Sequence, residues 1–170
     1  ERDLELVVVW HPREAELQQI ADHLSKHPEL GQWELSAAAF QAVLREPCLA
    51  GRRPTVDLFA DERTRKVERF YAPAFSPGAA GIDTFAQFWG GEGELAYINP
   101  PFHLMARVVR EIIDDRADCI LVAPVWPRAW AATLRVLDAV RARRRLPHTG
   151  LFEKVLPGGR REAKSPHYAV

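Results

Sequence analysis

The chain has 170 residues, of which 47% are hydrophobic and 27% charged, a balance that suits one globular domain with a short piece of a neighbour and excludes wholesale disorder. Lys plus Arg and Asp plus Glu number 23 each, so net charge does not point to a polyanionic partner, although Arg141, Arg143, Arg144 and Arg145 cluster locally, as do Asp114, Asp115 and Asp118. Cys48 and Cys119 have no CxxC or Cys/His spacing, which excludes a zinc site of the usual kind and a disulfide framework.

The cysteine usage points to a reducing intracellular compartment, nucleus or cytoplasm. No apolar run approaches the roughly 18–20 residues that span a bilayer, so no membrane partner is expected. The N-terminal Glu-Arg-Asp-Leu-Glu-Leu-Val lacks Met and signal-peptide shape, and opens directly in a strand-like run. A segment of a longer protein is the expectation.

Residues 4–10 (LELVVVW) form a β-branched apolar run of buried-strand length, ended by Pro12. Leu17, Ile20, Ala21 and Leu24 then recur at helical spacing, predicting an amphipathic helix over 14–26, followed by a linker at 27–31. Ser36 is the expected N-cap of a helix over 37–45 that buries Phe40, Val43 and Leu44. A loop over 47–54 leads to a short strand at 55–60 (TVDLFA), and residues 72–81 form a turn-rich loop. Residues 95–98 (LAYI) are a strand running straight into Asn99-Pro100-Pro101-Phe102. A helix over 104–114 turns Val108, Val109, Ile112 and Ile113 inward. Residues 119–125 (CILVAPV) read as a strand buried on both faces, and a helix over 130–144 aligns Leu134, Leu137 and Val140. Residues 151–156 and 168–170 flank a Gly158-Gly159 turn as a closing antiparallel pair. Alternation of strands and helices from 36 to 145 predicts an α/β fold, a mostly parallel sheet with helices on both faces.

The chemistry concentrates at Asn99-Pro100-Pro101-Phe102. Ligands of open α/β sheets bind at the carboxyl ends of strands, where this tetrapeptide falls. Prolines fix φ and lack backbone donors, so the Asn99 side-chain oxygen and the Pro100 carbonyl can converge as two acceptors, with the Phe102 ring beside them. Two acceptors and a stacking face suit the exocyclic amino group of a flipped-out base. A strand-ending Pro-Pro turn with an Asn cap is the plainer alternative.

Asn99-Pro100-Pro101-Phe102 resembles the D/N-P-P-Y/F motif of amino-methyltransferases that modify adenine N6 or cytosine N4 with S-adenosylmethionine. The ordered set Trp33-Glu-Leu-Ser, Val56-Asp-Leu-Phe-Ala60, Asp83 before Trp89, the NPPF turn and Leu121-Val-Ala-Pro-Val-Trp126 is similar to the phage-type Dam family. It resembles more closely the methyltransferase-like segment of DIRS and Ngaro tyrosine-recombinase retrotransposon polyproteins. The resemblance implies a Rossmann-like methyltransferase domain over 31–170, with Asn99, Pro100, Pro101 and Phe102 as the catalytic turn. It further implies that Asp57, Phe59 and Asp83 lie at the S-adenosylmethionine site, and that adenine N6 stands ahead of cytosine N4 as acceptor. The implied partners are DNA (duplex, RNA–DNA hybrid or single strand) and the remainder of the polyprotein.

Trp10-His-Pro-Arg-Glu14 and Ile20-Ala-Asp-His-Leu-Ser-Lys26 resemble the final strand and helix of retroelement RNase H domains, which makes residues 1–30 a β-α remnant of that fold. Asp22 matches that family's last metal-binding carboxylate. Without the upstream acids it cannot hold two metals, and a solvated helix residue is the preferred reading. No metal is therefore expected.

The cofactor half departs from the pattern, because Asp61-Glu62-Arg63 stands where a glycine-rich turn would let backbone approach the cofactor. Of two outcomes, the backbone turning away to leave a pocket that joins Asp57 to Asn99 is expected, because an intact NPPF turn implies that something binds beside it; the alternative is that the Asp61 and Glu62 carboxylates fill it. Asp57 itself bonds cofactor hydroxyls or amine, or merely ends its strand, and Asp83 lies near the cofactor adenine or is an ordinary loop residue. Trp126 and Trp130 line the base pocket or pack as core. The late arginines touch phosphate or complement a helix C-terminus. His103 is expected to cap the following helix. A catalytically inactive nucleic-acid-binding or spacer module of the same element is the alternative to methyl transfer.

Overall fold

The computed structural model describes residues 33–123, 128–137, 139–143, 146, 152–155 and 161–164, all within the unit Gln32–Val170. The strand and helix expected over 4–26, Asp22, Trp126, Arg144, Arg145 and residues 168–170 lie outside the described residues.

The elements run β1 (Trp33–Leu35), α1 (Ala37–Val43), β2 (Val56–Asp57), β3 (Tyr71–Ala72), β4 (Gly81–Ile82), β5 (Ala96–Ile98), α2 (Met105–Asp114), β6 (Cys119–Leu121), α3 (Ala129–Val136), β7 (Phe152–Val155) and β8 (Arg161–Lys164). The fold is mixed α/β. A parallel sheet has the order β2-β5-β6, with Asp57 opposite Tyr97 and Ile98 opposite Leu121. The short parallel pair β3-β4 joins it through a bridge from Phe70 to Asp57 and a bond from the Ala60 N–H to the Tyr71 carbonyl.

A second, antiparallel sheet has the order β1-β7-β8. Among the described residues β7 pairs antiparallel with β8, and β7 also takes β1, which the sequence did not mark as a strand.

Alternation along β5 divides the core. Tyr97 packs with Phe40 and Leu44 of the α1 region, Leu35 and Phe152, while Ala96 and Ile98 pack with Val108 of α2, Val56, Leu58 and Trp89. Successive strand residues face opposite sides, so α1 and α2 cover opposite faces of β5. Ser36 caps α1 as expected, its hydroxyl accepting the Ala39 N–H at 3.3 Å.

Several boundaries moved. In α2 the buried stripe is Met105, Val108 and Val109, and Ile113 is 41% exposed because it falls off that stripe at 3.6 residues per turn. The expected helix over 130–144 ends at Val136: Leu137 is extended (ψ 119°), and the Arg143 guanidinium donates to the Leu134 and Arg135 carbonyls at 2.6 and 3.0 Å. Arg143 thus satisfies carbonyls at the end of the helix, a role that basic side chains commonly take. His103 sits exposed in a 3₁₀ turn and makes no cap; α2 begins on Leu104 without a side-chain bond. No helix among the described residues is long and apolar enough to cross a membrane.

Candidate functional site

Parallel pairing of β2 and β5 brings residues 58–60 and 99–101 out of the sheet at the same, carboxyl edge. Asp57 and Asn99 therefore line one hollow, together with Glu34, Phe59, Thr64, Lys66 and Tyr97. Sequence reasoning named Asp57, Phe59 and Asn99. It missed Glu34, Thr64, Lys66 and Tyr97, which reach the hollow from β1, the 59–66 loop and β5 opposite Asp57.

Asp57 is 2% exposed. Its Oδ1 accepts the Phe59 N–H at 3.2 Å and its Oδ2 the Lys66 N–H at 3.0 Å. The carboxylate therefore ends β2 and folds the 59–66 loop back over the strand edge. Burial pushes its pKa up to about 6 despite these two bonds and the nearby Lys66 charge, which work in the opposite direction.

The loop is closed by its own side chains. Asp61 Oδ1 accepts the N–H groups of Arg63 and Thr64 at 2.8 and 2.9 Å, and Thr64 Oγ1 accepts the Asp61 N–H at 3.0 Å. This reciprocal pairing is the chemistry of a capping box in a turn. It turns Asp61 back on its own loop, while Glu62 is exposed. Neither lines the hollow.

Lys66 and Glu34 occupy that place instead. Lys66 Nζ lies 3.0 Å from Glu34 Oε2, with side chains only 8% and 3% exposed, and Arg161 donates to Glu34 Oε1. Desolvation still raises the Glu34 pKa, opposed by Lys66 and Arg161. The Tyr97 hydroxyl is buried with no hydrogen-bond partner among the described residues, and its pKa stands well above that of a free phenol through burial and the nearby Asp57 and Glu34 charges.

The remaining expected residues scatter. Asp83 does not line the hollow; at φ 55° its Oδ1 accepts the Phe85 N–H at 3.1 Å and caps the 3₁₀ turn Thr84–Ala86. That turn builds an aromatic cluster in which Phe59, Phe85 and Trp89 have centroids 5.6–5.9 Å apart, and the Arg107 guanidinium lies 3.7 Å over Phe85. Phe59 is the member that also reaches the hollow.

In the turn itself Pro100 is buried and Pro101 exposed. The Pro101 carbonyl accepts the Leu104 N–H at 2.9 Å, and the Phe102 ring stands edge-on to Phe152 at 6.4 Å. Trp130 is half-buried in α3, outside the hollow. Among the described residues, no cluster of three or more His, Cys, Asp or Glu side chains could hold a metal.

The donor set suits a cation and hydroxyl groups: two buried acids, an amide and a phenol without a partner among the described residues. The space does not suit S-adenosylmethionine. The hollow has a volume of about 10 Å³, room for about one water. No glycine relieves residues 58–66, and the Lys66–Glu34 pair stands beside Asp57. The residues as arranged do not fit the cofactor. Comparison with known proteins returned no matching family model, curated protein or solved structure.

Proposed function

We propose that the protein is the methyltransferase-like, Rossmann-related domain of a DIRS- or Ngaro-type retroelement polyprotein, preceded over 1–30 by the tail of an RNase H domain. In this reading it is a nucleic-acid-binding module that holds a base amino group at Asn99-Pro100-Pro101-Phe102 without transferring a methyl group. The observation that carries it is the hollow joining Asp57 to Asn99, narrowed by Lys66 and Glu34 to the room of about one water. Asn99 keeps its place at the carboxyl edge of the parallel strands, where it can meet a base, while the cofactor half is filled by the protein's own charges.

Fluorescence anisotropy with paired oligonucleotides tests it. Adenine-bearing strands should bind more tightly than the same strands with hypoxanthine, which lacks the exocyclic amine. Asn99→Ala should remove that preference while leaving the salt-dependent phosphate contribution in place. Equal binding of the two bases by the unmodified protein would discard the assignment.

A second reading, methyl transfer to adenine N6 ahead of cytosine N4, is favoured by one fact, that Asp57 and Asn99 share a hollow. Transfer of a labelled methyl group from S-adenosylmethionine to DNA would put it in place of the first.

A further inference from the structure

Glu34, Asp57, Tyr97 and Asn99 come from three strands and the turn after β5, and all face one small hollow. Two of the four are carboxyls at the bottom of the exposure range, and the Tyr97 hydroxyl has no partner among the described residues. Nothing in apolar packing needs two acids and a phenol at one point, and each buried acid needs a compensating partner. For Glu34 that partner, besides Arg161, is an ammonium, which donates three hydrogen bonds and carries one positive charge. Lys66 delivers one: its backbone N–H is fixed on Asp57 and its Nζ on Glu34.

We propose that Glu34, at the hollow that Asp57 and Tyr97 also line, anchors a buried primary-ammonium subsite, and that the Lys66 side chain is its built-in occupant, a plug that closes the hollow to cationic ligands from outside. The inference deepens the reading that the cofactor half is closed, and it names the side chain that closes it. The loop geometry supports the role. Asp61 and Thr64 lock residues 61–64, so Lys66 enters from a fixed stem. A primary alkylammonium matches the site in size and donors. A quaternary ammonium has no N–H donor, and a sodium ion has none either.

Two measurements test this. In the intact protein, acetylation of lysine amines followed by mass spectrometry should show Lys66 reacting at least about tenfold more slowly than in the urea-unfolded protein, because a buried, ion-paired amine reacts only on opening. Glu34→Gln should speed that reaction. Labelling of Lys66 at the unfolded rate would overturn the proposal, even if base binding held. The second measurement uses Lys66→Ala, which empties the subsite. Its melting temperature should fall below that of the unmodified protein and recover in ethylammonium or propylammonium chloride, but not in tetramethylammonium or sodium chloride of equal ionic strength. A loss recovered equally by all four salts, or no loss, would overturn it. Should the variant fail to fold, the labelling of the unmodified protein decides alone. Loss of the adenine preference with Lys66 still protected would overturn the base-binding reading and leave the plug standing.

Discussion

Asp57 is a residue that the fold needs and yet holds at a cost. Its two carboxylate oxygens end β2 and pin the following loop, but burial raises its pKa from 3.8 to about 6. A carboxyl raised in the folded state holds its proton there while the unfolded protein has already released it. Stability should therefore fall as pH rises from about 4 to about 6, and level off above. Two pH units of difference correspond to about 3 kcal/mol as an upper bound. Asp57→Asn should flatten this slope, since an amide does not titrate, though it exchanges one acceptor for an N–H that faces the Lys66 N–H. Urea unfolding at half-unit steps of pH reads both slopes; identical slopes would remove Asp57 as the source. Glu34, also raised, keeps a smaller slope of the same sign in the variant.

Tyr97 makes the complementary case at the same scale. Its ring is core, edge-on to Phe40 at 5.0 Å, while its hydroxyl is buried without a partner among the described residues. An unsatisfied buried hydroxyl costs about 1–3 kcal/mol. Tyr97→Phe keeps the ring and drops the oxygen, so it should leave stability unchanged or raise it by up to about that amount. A destabilised variant in urea unfolding would mean that the hydroxyl has a partner in solution.

Among elements, junctions matter as much as the strands, which are only two to four residues long. Gly90 shows why. A Cβ there would stand 2.0 Å from the Asp115 carbonyl oxygen, at the C-terminal end of α2, and the neighbouring Trp89 N–H donates to the Asp115 carboxylate at 2.7 Å. Backbone meets backbone at this point, so neither side can yield cheaply. Gly90→Ala should cost about 1–3 kcal/mol in unfolding free energy, the range of overpacked sites, whereas a substitution at exposed Gly93 meets no atoms within 4 Å and carries only its positive-φ strain (φ 74°).

The elements also show what a sequence can carry. The N-cap at Ser36, the stripe Val108–Val109 and the strand ending in Asn99 are local patterns with local causes, and they appear where the periodicity places them. That a parallel sheet forms was legible because apolar runs alternated with helical ones, but the pairing of β2 with β5 was not, since no α-helical run separates them. Strand β1 was not: three residues, one of them Glu34, give no period, and their partner β7 lies more than a hundred positions away. Lys66 was invisible for the same reason, since its contact with Glu34 spans 32 positions and nothing in its neighbourhood marks it. The role of Asp83 was not legible, because an acid before a Trp fits a cofactor contact and a turn cap equally well, and the positive φ that accompanies its cap is a property of the folded backbone. At the hollow, attention fell on Asp61 and Glu62 as the side chains able to close it. The Lys66 cation, paired with buried Glu34, stands there instead.

At the scale of the whole molecule, the charged groups around the hollow are satisfied by the protein itself among the described residues. A fold that depends on a bound cofactor leaves a cleft lined by unpaired groups, and ligand binding to the folded state alone stabilises it by mass action. Here the charges around the hollow are paired internally: Lys66 with Glu34, Arg161 with Glu34, and Asp57 with two main-chain N–H groups. The Tyr97 hydroxyl, without a partner among the described residues, corresponds to at most a single hydrogen bond. The domain should therefore melt at the same temperature with and without S-adenosylmethionine. The comparison has power, because a ligand present at 100 times its dissociation constant would add about 2.7 kcal/mol, which raises the melting temperature of a domain of this size by several degrees. Differential scanning fluorimetry at about 1 mM cofactor thus detects affinities down to tens of micromolar. A saturable upward shift would show that the Lys66 side chain leaves the hollow and that the cofactor half opens. Such a shift in Lys66→Ala but not in the unmodified protein would instead show that the pocket's other walls still fit the cofactor, and that one lysine is what separates a methyltransferase site from a closed one.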